Sequence, residues 1–95
     1  MIWMDPLVII SKGKGPYDTT RMALKRFPLP DLKKRRILIK PNAARLASPG
    51  EGVTTHPLVV SATIDHLREN GIKEIAIGEG CIFGVDAQEA FRKTG

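Results

Sequence analysis

The sequence contains a single cysteine, Cys81, in 95 residues. That excludes an internal disulfide, a Cys-x-x-Cys redox pair and an all-cysteine metal or iron–sulfur site within one chain. Aromatic residues are scarce, at 5%. None is interleaved with the one dense basic run, Lys33-Lys34-Arg35-Arg36, so that run lacks the stacking platforms of a single-strand nucleic-acid surface. Set between Pro30-Asp31 and an apolar segment, it reads as a solvated turn guarding a strand end, and nucleic acid is not an expected partner. Long apolar runs are absent too, none approaching the roughly 18 residues that a membrane helix needs. The opening Met1-Ile2-Trp3-Met4-Asp5 has neither the basic start nor the small-residue cleavage site of a secretory signal. The expectation is a cytoplasmic chain with no membrane contact.

What is present is ordinary for a globular protein: 42% apolar and 26% charged residues, enough of the first to build a core. The length predicts one domain, residues 1–95. The net charge of +5 is unevenly spread. Residues 1–48 hold eleven Lys/Arg against three Asp/Glu, a surplus of +8, and residues 49–95 hold four against seven, a deficit of −3. Such a division suits self-association or an anionic partner. A homo-oligomer and a small anionic ligand are therefore the expected partners.

Three segments read as strands buried on both faces, as in parallel sheets. They are Leu7-Val8-Ile9-Ile10, Arg36-Ile37-Leu38-Ile39-Lys40 and Glu74-Ile75-Ala76-Ile77-Gly78. Between the first two, Thr20, Ala23, Leu24 and Phe27 lie on one helical face, with Asp18 as the expected N-cap and Pro28 and Pro30 as the stop. A second helix is expected to start at Thr55-His56-Pro57, carry its apolar stripe on Val60, Ile64 and Leu67, and end at Asn70-Gly71. His66, off that stripe, is expected on the surface. A third helix follows from the Asp86/Glu89 capping pattern with Ala87, Ala90 and Phe91. The order β-α-β-α-β-α predicts an α/β fold, a small three-layer domain with a mostly parallel sheet.

Ligands in open parallel sheets bind outside the carboxyl ends of the strands. That rule gathers Lys40, Asn42, Thr54, Thr55, His56, Glu79 and Gly80 into one candidate ligand-binding edge. Lys40 offers a compact positive charge and Asn42 both a donor and an acceptor. Thr54, Thr55 and His56 sit at a helix start, which favours an anion. Glu79 can accept a proton, pair with Lys40 or share a metal with His56. Each also has a plain structural reading: a rim ion pair, two capping threonines and a helix-start histidine. The glycine pattern Gly13-x-Gly15 runs into Pro16 without a third glycine. Gly78-x-Gly80-x-x-x-Gly84 follows the third strand rather than the first. Both fit tight turns better than a dinucleotide loop. Cys81, with His56 as the one evident base in that layer, reads as an incidental thiol.

Three segments, Ile37-Leu38-Ile39-Lys40-Pro41-Asn42, Gly52-Val53-Thr54-Thr55-His56-Pro57 and Gly78-Glu79-Gly80, together resemble the domain of unknown function 362 family. Val8-Ile9-Ile10-Ser11-Lys12 and Tyr17 look like that family's opening strand and loop. The resemblance implies the N-terminal part of a longer fold and no settled activity. It does not imply the iron–sulfur clusters of members with an attached ferredoxin-like segment, whose cysteine clusters this chain lacks. Three functions compete. The first is an uncharacterised α/β domain with an anion-binding edge. The second is an enzyme or half-enzyme using Lys40, His56 and Glu79 on an anionic or metal-bound substrate. The third is an interaction module assembling through its sheet edge.

Overall fold

The structure, a computed structural model, describes residues 5–42, 46–78, 92 and 95. Four elements lie within them in the order α1 (Pro16–Lys25), β1 (Arg36–Ile39), α2 (Pro57–Glu69) and β2 (Glu74–Ile77). β1 and β2 pair in parallel, with Arg36 opposite Glu74, Ile37 opposite Ile75, Leu38 opposite Ala76 and Ile39 opposite Ile77. Parallel neighbours need a crossover, and α2 supplies it. The chain is thus an α/β unit with a parallel sheet.

α1 begins earlier than the capping pattern suggests. Gly15 is the N-cap and Pro16 the first helical residue, because proline presets the helical φ and has no N–H to leave unpaired. Asp18 therefore sits inside the first turn, and Gly15, which has no side chain, gives no side-chain cap. Asp18 at this end and Lys25 in the last turn still complement the helix dipole. Thr20, Ala23 and Leu24 are half-buried, while Phe27, beyond the helix end, is 51% exposed.

α2 ends in a hydrogen-bonded C-cap. Gly71 adopts φ +83, which only glycine accepts without strain. Its N–H donates to the Arg68 carbonyl at 3.0 Å, and the Ile72 N–H donates to the Leu67 carbonyl at 3.1 Å. These are the two bonds of a Schellman motif. The apolar contact that accompanies the motif falls on Leu67 and Ile72, which are 7% and 2% exposed. With Ala47 and Ala62 they make up the buried apolar residues among those described.

His66 is a correction. It is 9% exposed, not a surface residue. A stripe drawn through the large aliphatics Val60, Ile64 and Leu67 misses the face centred on Ala62, which is fully buried. His66 lies one turn further along that face.

The two helices pack against each other and only slightly against the sheet. Their seam is partly polar. The Tyr17 hydroxyl donates to Asp65 at 2.5 Å, and one turn on Arg21 Nη2 donates to Glu69 at 2.5 Å. The Asp65 carboxylate holds the Tyr17 proton and pushes that hydroxyl above its ordinary value, helped by burial. Arg21 pulls the Glu69 carboxyl below its ordinary value.

Residues 7–10, expected as the first strand, form no ladder. Val8 is 82% and Ile10 89% exposed. The Ser11 hydroxyl donates to the Thr19 carbonyl at 2.6 Å, so the end of this segment is lashed to α1 rather than to β1. A strand exists only through backbone pairing with a neighbour, and residues 7–10 pair with neither β1 nor β2. The expected third helix, its Asp86/Glu89 capping pattern and Cys81 lie outside the described residues.

Candidate functional site

The carboxyl end of β1 leads into Lys40-Pro41-Asn42, and there the chain meets the start of α2. The Asn42 N–H donates to the Thr55 hydroxyl at 3.0 Å, and the Thr55 N–H donates back to the Asn42 carbonyl at 2.8 Å. The Asn42 side-chain amide donates to the Val53 carbonyl at 3.2 Å. These three bonds clasp two segments that the sequence separates by 13 positions. Gly78 reaches the same edge from β2, its N–H donating to the Ile39 carbonyl at 3.1 Å.

His56 is the N-cap of α2. Its Nδ1 accepts from the Leu58 N–H at 3.1 Å. An accepting Nδ1 carries no proton, so in the neutral ring the proton sits on Nε2 and makes that nitrogen a donor. Pro57 has no N–H, and the Val59 N–H donates to the His56 carbonyl at 2.9 Å. The first three positions of α2 therefore present no open backbone donor to a ligand. The expected grip on an anion through free amides narrows to the helix field and the nearby side chains.

Of the expected site residues, the structure brings Asn42 and Thr55 into direct contact. Thr54 and His56 flank Thr55, and Lys40 stands exposed directly after β1. Thr54, Thr55 and His56 are half-buried and Asn42 is exposed. Glu79 and Gly80 lie outside the described residues. Sequence reasoning did not single out the Val53 carbonyl, because a backbone acceptor leaves no trace in residue identity. It also missed His56 as a cap, since histidine is not among the usual capping residues. Among the described residues no three His, Cys, Asp or Glu groups gather as metal ligands, and no helix is long and apolar enough to cross a membrane.

No curated protein and no solved structure matches the chain. One family profile does, that of "Domain of unknown function (DUF362)", over residues 37–95. The match takes in β1 from Ile37 onward, the Asn42–Thr55 clasp, α2 and β2, which are the elements that build the edge. The chain belongs to the DUF362 family, a domain of unknown function.

Proposed function

We propose that this chain is a ligand-binding α/β domain whose strand-end edge takes a small anionic ligand beside Lys40, Asn42, Thr54, Thr55 and His56. The observation that carries the reading is the Asn42–Thr55 clasp. It fixes sequence-distant polar residues at the carboxyl end of a parallel strand, where α/β sheets bind their ligands. The donors on this reading are side chains, namely the Lys40 ammonium, the Thr54 hydroxyl and His56 Nε2–H, with the α2 dipole adding a favourable field. Glu79 and Gly80 follow Gly78 in the sequence; on this reading the anion sits nearer the Thr55–His56 turn and Lys40 than Glu79, whose carboxylate opposes negative charge unless it is protonated or metal-bound. The full unit on this reading is a β-α-β-α-β-α three-layer domain, cytoplasmic, forming the N-terminal part of a longer family fold. Titration with inorganic phosphate, followed by amide chemical shifts, tests it. Shifts should concentrate at Asn42 and Thr54–His56 and weaken in Lys40→Ala. Unchanged resonances there, or a response indifferent to Lys40→Ala, sink the anion edge.

A second reading is association with another copy of the chain. Leu38 is 65% and Ile77 47% exposed on the sheet, and the basic and acidic halves of the sequence complement each other. Light scattering at micromolar concentration decides it, since a clean monomer rejects the homo-oligomer.

A further inference from the structure

We propose a self-modification site at Asn70-Gly71, where the chain's own backbone converts the asparagine side chain to a carboxylate at a rate set by opening of the turn after α2. Asn42 and Asn70 are the two asparagines of the chain, and Asn70 alone precedes a glycine. The peptide nitrogen after an asparagine lies close to that residue's Cγ, and the ring between them closes most readily where the next residue has no side chain to obstruct it. In that step the Gly71 nitrogen gives its proton to solvent base and bonds to Asn70 Cγ, and the side-chain nitrogen leaves as ammonia. Water then opens the cyclic imide at either carbonyl, leaving aspartate or isoaspartate at position 70. Nothing is oxidised or reduced, and water is the sole co-reactant.

The fold calls for this pair and also restrains it. Gly71 stands at φ +83, and a Cβ there would lie 3.2 Å from Lys33 Cγ, so the position favours glycine. The nucleophile is occupied, because the Gly71 N–H donates to the Arg68 carbonyl at 3.0 Å. The leaving group is occupied too, Asn70 Nδ2 donating to the His66 carbonyl at 2.7 Å. Asn70 sits at φ −91 and ψ 13, and closing the imide requires the peptide plane to rotate away from that ψ. These restraints all belong to the Schellman turn and are released together when it opens. The product does not restore them. A carboxylate has no donor for the His66 carbonyl, and its charge falls beside Glu69 at the negative end of the α2 dipole. Isoaspartate also adds a carbon to the backbone of the turn. Conversion is therefore a one-way step that loosens the Leu67–Ile72 contact.

The test incubates the intact chain in mildly alkaline buffer, folded and in denaturing urea. Peptide mass spectrometry reads the amide-to-acid exchange, and enzymatic methylation of isoaspartate reads the product. Conversion at Asn70 should be at least about tenfold faster in urea than in the folded chain, and in urea Asn42 should react more slowly than Asn70. Ile72→Ala loosens the turn and leaves the reacting pair intact. It should speed conversion of the folded chain by about tenfold or more while matching the parent rate in urea. If that variant fails to fold, the parent chain in urea below its unfolding midpoint decides, and its conversion should rise in step with amide exchange at Gly71. Equal rates in the folded and unfolded chains, or an Asn70 that stays intact in urea, overturn the proposal. So does a folded rate indifferent both to Ile72→Ala and to urea.

Discussion

Replacing Ile72 by alanine tests whether the turn after α2 anchors the fold. The side chain is 2% exposed, so the carbons removed are all withdrawn from contact rather than from water. At roughly 0.8 kcal/mol per buried carbon, the transfer loss is about 2.4 kcal/mol. Incomplete collapse adds a cavity cost and brings the expected destabilisation to about 3 kcal/mol. With a urea slope on the order of 1.5 kcal/mol per molar, the unfolding midpoint falls by roughly 2 M. Leu38→Ala is the matched control. It removes the same carbons from a side chain that is 65% exposed, so about a third of the transfer term applies, roughly 0.8 kcal/mol. Urea melts of both variants by circular dichroism, at a concentration where the chain is monomeric, give the comparison directly. If Leu38→Ala costs as much as Ile72→Ala, the outer face of the sheet is covered in solution and the exposure argument fails. If Ile72→Ala costs under about 1 kcal/mol, the Leu67–Ile72 contact does not anchor the turn.

Tyr17 is the chain's one tyrosine, so tyrosinate absorbance reads it alone. Its hydrogen bond to Asp65 raises the midpoint above 10.0, and Asp65→Asn should bring it back toward that value; a wild-type midpoint at or below it refutes the contact. Folding favours the protonated hydroxyl, so this contribution is complete below pH 10.0 and is lost as the pH rises through the folded value. Glu69 behaves in the opposite sense. Its folded value lies below 4.5, so its contribution is present above that pH and is lost as the pH falls through the folded value. Glu69→Gln should therefore flatten the acid limb of the stability profile, and an unchanged limb speaks against the Arg21 pair. His56→Ala should cost roughly 1 kcal/mol through loss of the α2 cap, with His56→Asn restoring most of it in thermal melts. Thr55→Val should raise amide exchange at Asn42, whose N–H loses its acceptor; unaltered exchange there would mean that the clasp does not form.

The parts of the fold that were legible in the sequence are those set by local chemistry. Asn70-Gly71 announces the end of α2 because a left-handed residue after a helix is nearly always glycine. The β-branched runs Ile37-Leu38-Ile39 and Ile75-Ala76-Ile77 announce strands, and the helix between them makes the pairing parallel. The misreadings share a non-local cause. The segment at 7–10 has strand composition, yet its conformation depends on whether another edge receives it. His66 follows a face defined by a buried alanine, which hydrophobic patterning weights lightly. The candidate edge was legible as a convergence, since topology alone brings strand ends and helix starts together. That Asn42 and Thr55 bond to each other, and that His56 closes its own helix, depend on atomic direction and were not.

The clasp has a consequence for what the chain tolerates. Because Asn42 and Thr55 meet across 13 positions, the intervening residues form a loop tied off at its base. The entropy of closing such a loop grows only logarithmically, and doubling its length costs about 0.6 kcal/mol. Insertions between Pro49 and Gly52, beyond the buried Ala47, should therefore leave β1 and α2 in register with each other. This is the position at which a reporter peptide can be spliced into the chain while the edge is kept.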